Sequence, residues 1–92
     1  MKQYELTIIA DPDVDSFETT NAIEEKIFAS NANIEQKWYD GKKRLAYPIN
    51  NKDVGIYVAY NINMPGENAI KLSKELDILP NVMRYLLVTV NK

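Results

Sequence analysis

Twice along this chain the spacing of apolar residues changes from two to between three and four and back again, and that alternation leaves few folds open. Tyr4 to Ile9 alternates as a strand, and Asp11-Pro12-Asp13 stops it with turn chemistry. A helix is expected next. Asp15 with Glu18 three residues later reads as an acidic capping box, and Phe17, Ile23, Ile27 and Phe28 supply an apolar stripe to about Ser30. Asn31-Ala32-Asn33 ends it, and strand spacing returns from Ile34 to Ile49, with Gly41 as a candidate bulge or bend. Pro48 has no amide donor, which makes this an edge strand.

A polar loop is expected from Asn50 to Val54, then a third strand from Gly55 to Asn63 on which Val58, Tyr60 and Ile62 alternate with Tyr57, Ala59 and Asn61. Met64-Pro65-Gly66-Glu67 opens a second helix whose Ala69, Leu72 and Leu76 face inward, to about Asp77. After a turn at Pro80-Asn81, Val82 to Val90 is apolar on both faces, which fits a central strand or one whose outer face meets a partner. The order β-α-β-β-α-β predicts an α+β, ferredoxin-like sandwich: a four-stranded antiparallel sheet with two helices on one face, as a single domain over residues 1–92. Leu45 and Tyr47 are expected in the core with Val58, Tyr60 and Ile62. The open face should then show Arg44, Ala46, Tyr57 and Ala59.

Cysteine and histidine are both absent, which removes disulfides, thiolate chemistry, the common zinc ligands and the usual neutral-pH proton shuttle. The chain is therefore not read as an enzyme, and no cofactor, metal or small-molecule substrate is expected. Asp11, Asp13 and Asp15 alternate as hard-cation ligands do, but no further ligands follow at EF-hand spacing, so they read as turn and cap residues. The apolar stretch Leu6 to Ala10 is too short for a signal peptide or a membrane span, and a soluble, unprocessed cytosolic protein is expected.

Net charge is −2, but it is unevenly spread: two lysines face eight carboxylates over residues 1–36, five cations face Asp40 over residues 37–52, and four face four thereafter. The basic segment contains Gly41-Lys42-Lys43-Arg44-Leu45-Ala46-Tyr47-Pro48-Ile49, three adjacent cations on a proline-closed strand. Cations held on a rigid strand point to a polyanionic partner, and they equally serve to block edge-to-edge pairing. Trp38 and Tyr39 beside Lys37 interleave rings with charge as nucleic-acid surfaces do, although core packing suits Trp38 as well. Arg84 either binds or pairs with a neighbouring carboxylate, and Lys92 reads as a frayed end. Tyr57, Val58 and Tyr60 fit one end of the signature by which RNA-recognition motifs stack bases. Gly55 and Asp53 do not fit the rest, so a charge patch accounts for the residues better than base stacking on the sheet.

With these elements in order, the chain resembles small-subunit ribosomal protein six of bacteria. The likeness rests on Tyr4-Glu5, Asp11-Pro12-Asp13, Gly41 through Ile49, Gly55 with Tyr57, and Val82 with Arg84 and Tyr85; Leu45-Ala46-Tyr47-Pro48-Ile49 after a cation run is its specific part. It implies a noncatalytic protein of the cytoplasmic ribosome that binds the central domain of small-subunit ribosomal RNA together with small-subunit ribosomal protein eighteen. It further implies that Lys2, Lys42, Lys43 and Arg44 face RNA, while Ala46, Pro48, Tyr57, Ala59 and Arg84 meet the partner protein. Two features depart from the family: Asp40 stands where it usually has tryptophan, with Trp38 two residues earlier, and the chain stops at Lys92 where many members carry a charged tail. Any contact made by such a tail is expected to be missing. Other classes sharing this fold are a small-molecule regulatory or dimerisation module and an acylphosphatase-like enzyme. The first has no evident need for three adjacent cations, and the second lacks its phosphate-cradling glycine loop.

Overall fold

The computed structural model describes residues 2–49 and 51–90. Its order is β1 (Lys2–Ala10), α1 (Ser16–Ala29), β2 (Asn33–Ile49), β3 (Lys52–Met64), a 3-10 turn (Gly66–Asn68), α2 (Ala69–Asp77) and β4 (Val82–Thr89). All pairings are antiparallel, and the sheet order is β2-β3-β1-β4. The predicted ferredoxin-like arrangement is observed. Asn50 and Lys92, assigned above to a loop and a frayed end, lie outside the described residues.

Alternation builds the core. Tyr4, Leu6, Ile8 and Ala10 of β1 and Ile56, Val58, Tyr60, Ile62 and Met64 of β3 all point to the helix side, where they meet Ile23, Ile27, Leu72 and Leu76. α1 starts as expected at Asp15, whose Oδ1 accepts the Phe17 N–H at 2.9 Å. It stops by a backbone motif: the Ala32 N–H donates to the Ile27 carbonyl and the Asn31 N–H to that of Phe28, with Asn31 at φ 58°. That is the left-handed cap with paired return bonds that asparagine tolerates. The Asn68 amide then donates to the Ser30 carbonyl at 2.8 Å, tying the start of α2 to the end of α1.

Three expectations change. Phe17 and Phe28 are exposed, and the buried stripe of α1 is Thr19, Thr20, Ile23 and Ile27. At 100° per residue both phenylalanines fall roughly 100° or more around the helix from the centre of that stripe. The threonines can be buried because their hydroxyls donate to the Asp15 and Phe17 carbonyls. The expected polar loop shortens to a tight turn, for Asn51 takes φ 64° and β3 is already formed at Lys52. Finally, β4 is an edge strand, not a central one: it pairs only with β1, and Leu86 and Val88 are exposed.

Candidate nucleic-acid interface

The basic run lies on the β2–β3 hairpin, and a bulge decides which way it faces. Tyr39 pairs with Val58 and Gly41 with Tyr57, so Asp40 is the extra residue, and Gly41 carries the turn at φ 83°. One extra residue sends every later side chain to the opposite face. Lys42 and Arg44 therefore lie opposite Ile56 and Val54, on the helix side, while Lys43 lies opposite Gly55 on the open side. The expected faces of Arg44 and Leu45 are thus exchanged.

Leu45 is buried on the open side. A Cβ on Gly55 would collide with Ile9 Cγ2 and come within 3.4 Å of Leu45 Cδ2, so only glycine lets the leucine settle there. Beyond it, Leu45 through Pro48 lie opposite the single residue Asp53, between the pairs Arg44–Val54 and Ile49–Lys52. The strand bows outward, as a segment ending in a residue without an amide donor can. Tyr47, expected in the core, is 81% exposed, whereas Leu45 is 7% exposed. Ala46 and Pro48 are exposed with Tyr47.

Several cations of this segment are neutralised locally. Lys37 pairs with Glu24 at 2.7 Å, and the buried Tyr60 hydroxyl donates to the same carboxylate. Burial first and then Glu24 push that hydroxyl well above the ordinary tyrosine range. Lys52 reaches both Asp11 and Asp13 at 2.7 Å. Its hydrogen bond, helped by the Asp13 N–H, holds the Asp11 carboxyl below its usual range, and Asp11 and Asp13 in turn raise Lys52. The aspartates thus serve the turn, the cap and an ion pair. Lys43 sits 3.9 Å from Asp40 and 5.4 Å from the centre of the Tyr57 ring. Lys42 and Arg44 are exposed and, among the described residues, have no carboxylate within 4.0 Å. Within this segment, uncompensated charge is concentrated on these two.

Lys2 is not part of this cluster. It pairs with Met64 while Lys42 pairs with Ile56, which places them about 26 Å apart along the sheet at ~3.3 Å per residue. Tyr57, Ala59 and Arg84 do share the open face: one row runs Gly41, Tyr57, Ile9, Arg84, and the next Trp38, Ala59, Thr7, Leu86. Trp38, displaced in sequence, therefore still reaches the open face. It borders a shallow depression of about 260 Å³ with Glu5, Thr7, Asp40, Ala59 and Asn61. Sequence reasoning missed Leu86 and Val88 as open-face residues and Tyr47 as an exposed one. Pro48, directly after Tyr47, was the signal for the last.

The profile of the family described as Ribosomal protein S6 matches residues 3–89. The chain belongs to that family. The small ribosomal subunit protein bS6 of Corynebacterium aurimucosum is 32% identical over 87 residues, covering 91% of each chain. That of Thermus thermophilus is 32% identical over 93 residues, covering 96% of this chain and 90% of its own. The crystal structure of 30S ribosomal protein S6 from Thermotoga maritima superposes with a TM-score of 0.88 at 22% identity, over 97% of this chain and 87% of that one. A C-terminal domain of the MgtC protein from Mycobacterium tuberculosis shares the fold alone, with a TM-score of 0.66 at 15% identity. Membership of the S6 family makes the chain a structural protein of the small ribosomal subunit, not an enzyme. Among the described residues no helix is long and apolar enough to cross a membrane.

Proposed function

We propose that the chain binds the central domain of small-subunit ribosomal RNA jointly with small-subunit ribosomal protein eighteen, the hairpin taking the RNA and the open sheet the protein. The observation that carries this is the pairing of uncompensated Lys42 and Arg44 with a hairpin rooted by Leu45 on Gly55 and Ile9. Rooted charge meets phosphate with little ordering cost, and A-form RNA is read mainly through shape and backbone. Lys43, already engaged by Asp40 and Tyr57, contributes less to phosphate binding, and Lys2 touches a separate part of the RNA. The apolar surface suited to the protein partner is Tyr57, Ala59, Trp38, Leu86 and Val88, with Arg84 at its border and Ala46 and Pro48 at the β2 edge.

Filter binding to a central-domain RNA fragment across a salt series, with and without the partner protein, tests this. Lys42→Ala/Arg44→Ala should flatten the logarithmic salt slope by about two, roughly one for each phosphate that is no longer neutralised, while Lys43→Ala flattens it less. Wild-type protein that binds no RNA at any salt, alone or with the partner, removes the proposal.

A further inference from the structure

Tyr47 is the most exposed large apolar side chain among the described residues, yet its backbone is held at both ends. Two residues before it, Leu45 is buried beside Gly55 and Ile9; two residues after it, Ile49 rejoins the ladder opposite Lys52. Between these anchors Pro48 limits the backbone further. The ring therefore stands on a braced arch, and engaging a ligand would cost it little conformational entropy.

The other aromatic side chains nearby already have neighbours. The Tyr39 hydroxyl donates to Ser16 Oγ at 3.3 Å. Trp38 lies across the sheet from Ala59, and the Tyr57 ring carries the Lys43 ammonium. Tyr47 presents its ring to solvent, on the same arm as uncompensated Lys42 and Arg44. An aromatic face three residues along the same arm from phosphate-binding Arg44 suits one chemistry above others: the π-face of a nucleobase exposed at a bulge, loop or helix end.

We infer that Tyr47 stacks on an unpaired or helix-terminal nucleobase of the RNA whose phosphates Lys42 and Arg44 hold. This rests on the RNA-binding reading above and adds to it a source of discrimination. Phosphate contacts alone treat all duplexes alike, whereas a stacking ring favours RNA that offers an open base. Tyr47 thereby separates folded target RNA from plain duplex.

The test compares wild type, Tyr47→Phe and Tyr47→Ala on the central-domain fragment and on a fully paired duplex of equal length. Tyr47→Ala should bind the fragment about tenfold more weakly, with Tyr47→Phe within about twofold of wild type. The salt slope should not change, because the same phosphates stay neutralised, and duplex binding should change by less than about twofold. On wild-type protein, which avoids any folding defect of a variant, the Tyr47 ring proton signals should move upfield when the fragment is added. Equal fragment binding by wild type and Tyr47→Ala, equal weakening in both variants, or unmoved ring signals in the bound state would each overturn the stacking role while leaving RNA binding intact. A wild-type protein that binds neither RNA, alone or with the partner protein, overturns both readings.

Discussion

β2 and β4 each leave one row of backbone N–H and C=O groups without a strand partner, but the two edges are built differently. β2 carries Lys37, Lys42, Lys43, Arg44 and Pro48, and its ladder with β3 is broken in three places. β4 carries one charge, Arg84, in an otherwise apolar run with exposed Leu86 and Val88. Charge, proline and bulges discourage strand addition, so β2 is guarded against a second strand while β4 is left receptive. The contrast separates two kinds of recognition. The guarded edge offers charge, held by a small apolar root; the receptive one offers apolar surface continuous with the open sheet.

The largest test of that root is Gly55→Val. Its side chain has no space against Ile9, so the variant should lose about 1–3 kcal/mol, read as a fall in melting temperature. Faster hydrogen exchange should be confined to the β2–β3 hairpin and leave β4 protected; uniform acceleration would show that the root is not local. A sharper comparison sets Leu45→Ala against Leu86→Ala. The first side chain is 7% exposed and the second 61%, so the expected losses are about 2 kcal/mol and less than about 0.5 kcal/mol by denaturant titration. Similar losses would erase the distinction between a rooted and a free edge.

The smallest effect is electrostatic and concerns the turn that braces the hairpin's end. Because the folded-state pKa of Asp11 is depressed, its contribution is present above the ordinary value of 3.8 and fades as pH falls through the lower folded value. Lys52 is shifted upward, so its contribution is present below 10.5 and fades only as pH rises beyond that. Asp11→Asn can keep the hydrogen bond to the Asp13 N–H while losing the charge. Its melting temperature should fall slightly below wild type near pH 6 and converge with it toward pH 2. A constant gap across that range would assign the effect to the turn, not to the ion pair.

Much of this molecule could be read from local spacing. The apolar periods, the turn residues and the absence of an amide at Pro48 are properties of short segments, and they located every strand and helix, the edge position of β2 and the cation cluster. Most of the readings that failed concern which way a side chain points, or where a strand sits, once strands are paired. Phe17 and Phe28 count as apolar in any periodicity, but only the packed sheet shows which side of α1 it covers. An apolar β4 is read as central from composition, yet its place follows from β1 already having β3 on its other side.

The hairpin shows the same division within nine residues. That three cations sit together before a proline-closed apolar run is a fact of covalent order. That Leu45 turns under the open face, Lys43 leans on Tyr57 and Tyr47 stands free depends on Asp40 being extra relative to β3 and on Leu45 to Pro48 lying opposite a single β3 residue. A bulge exists only against a partner strand, and a single extra residue reverses every face that follows it.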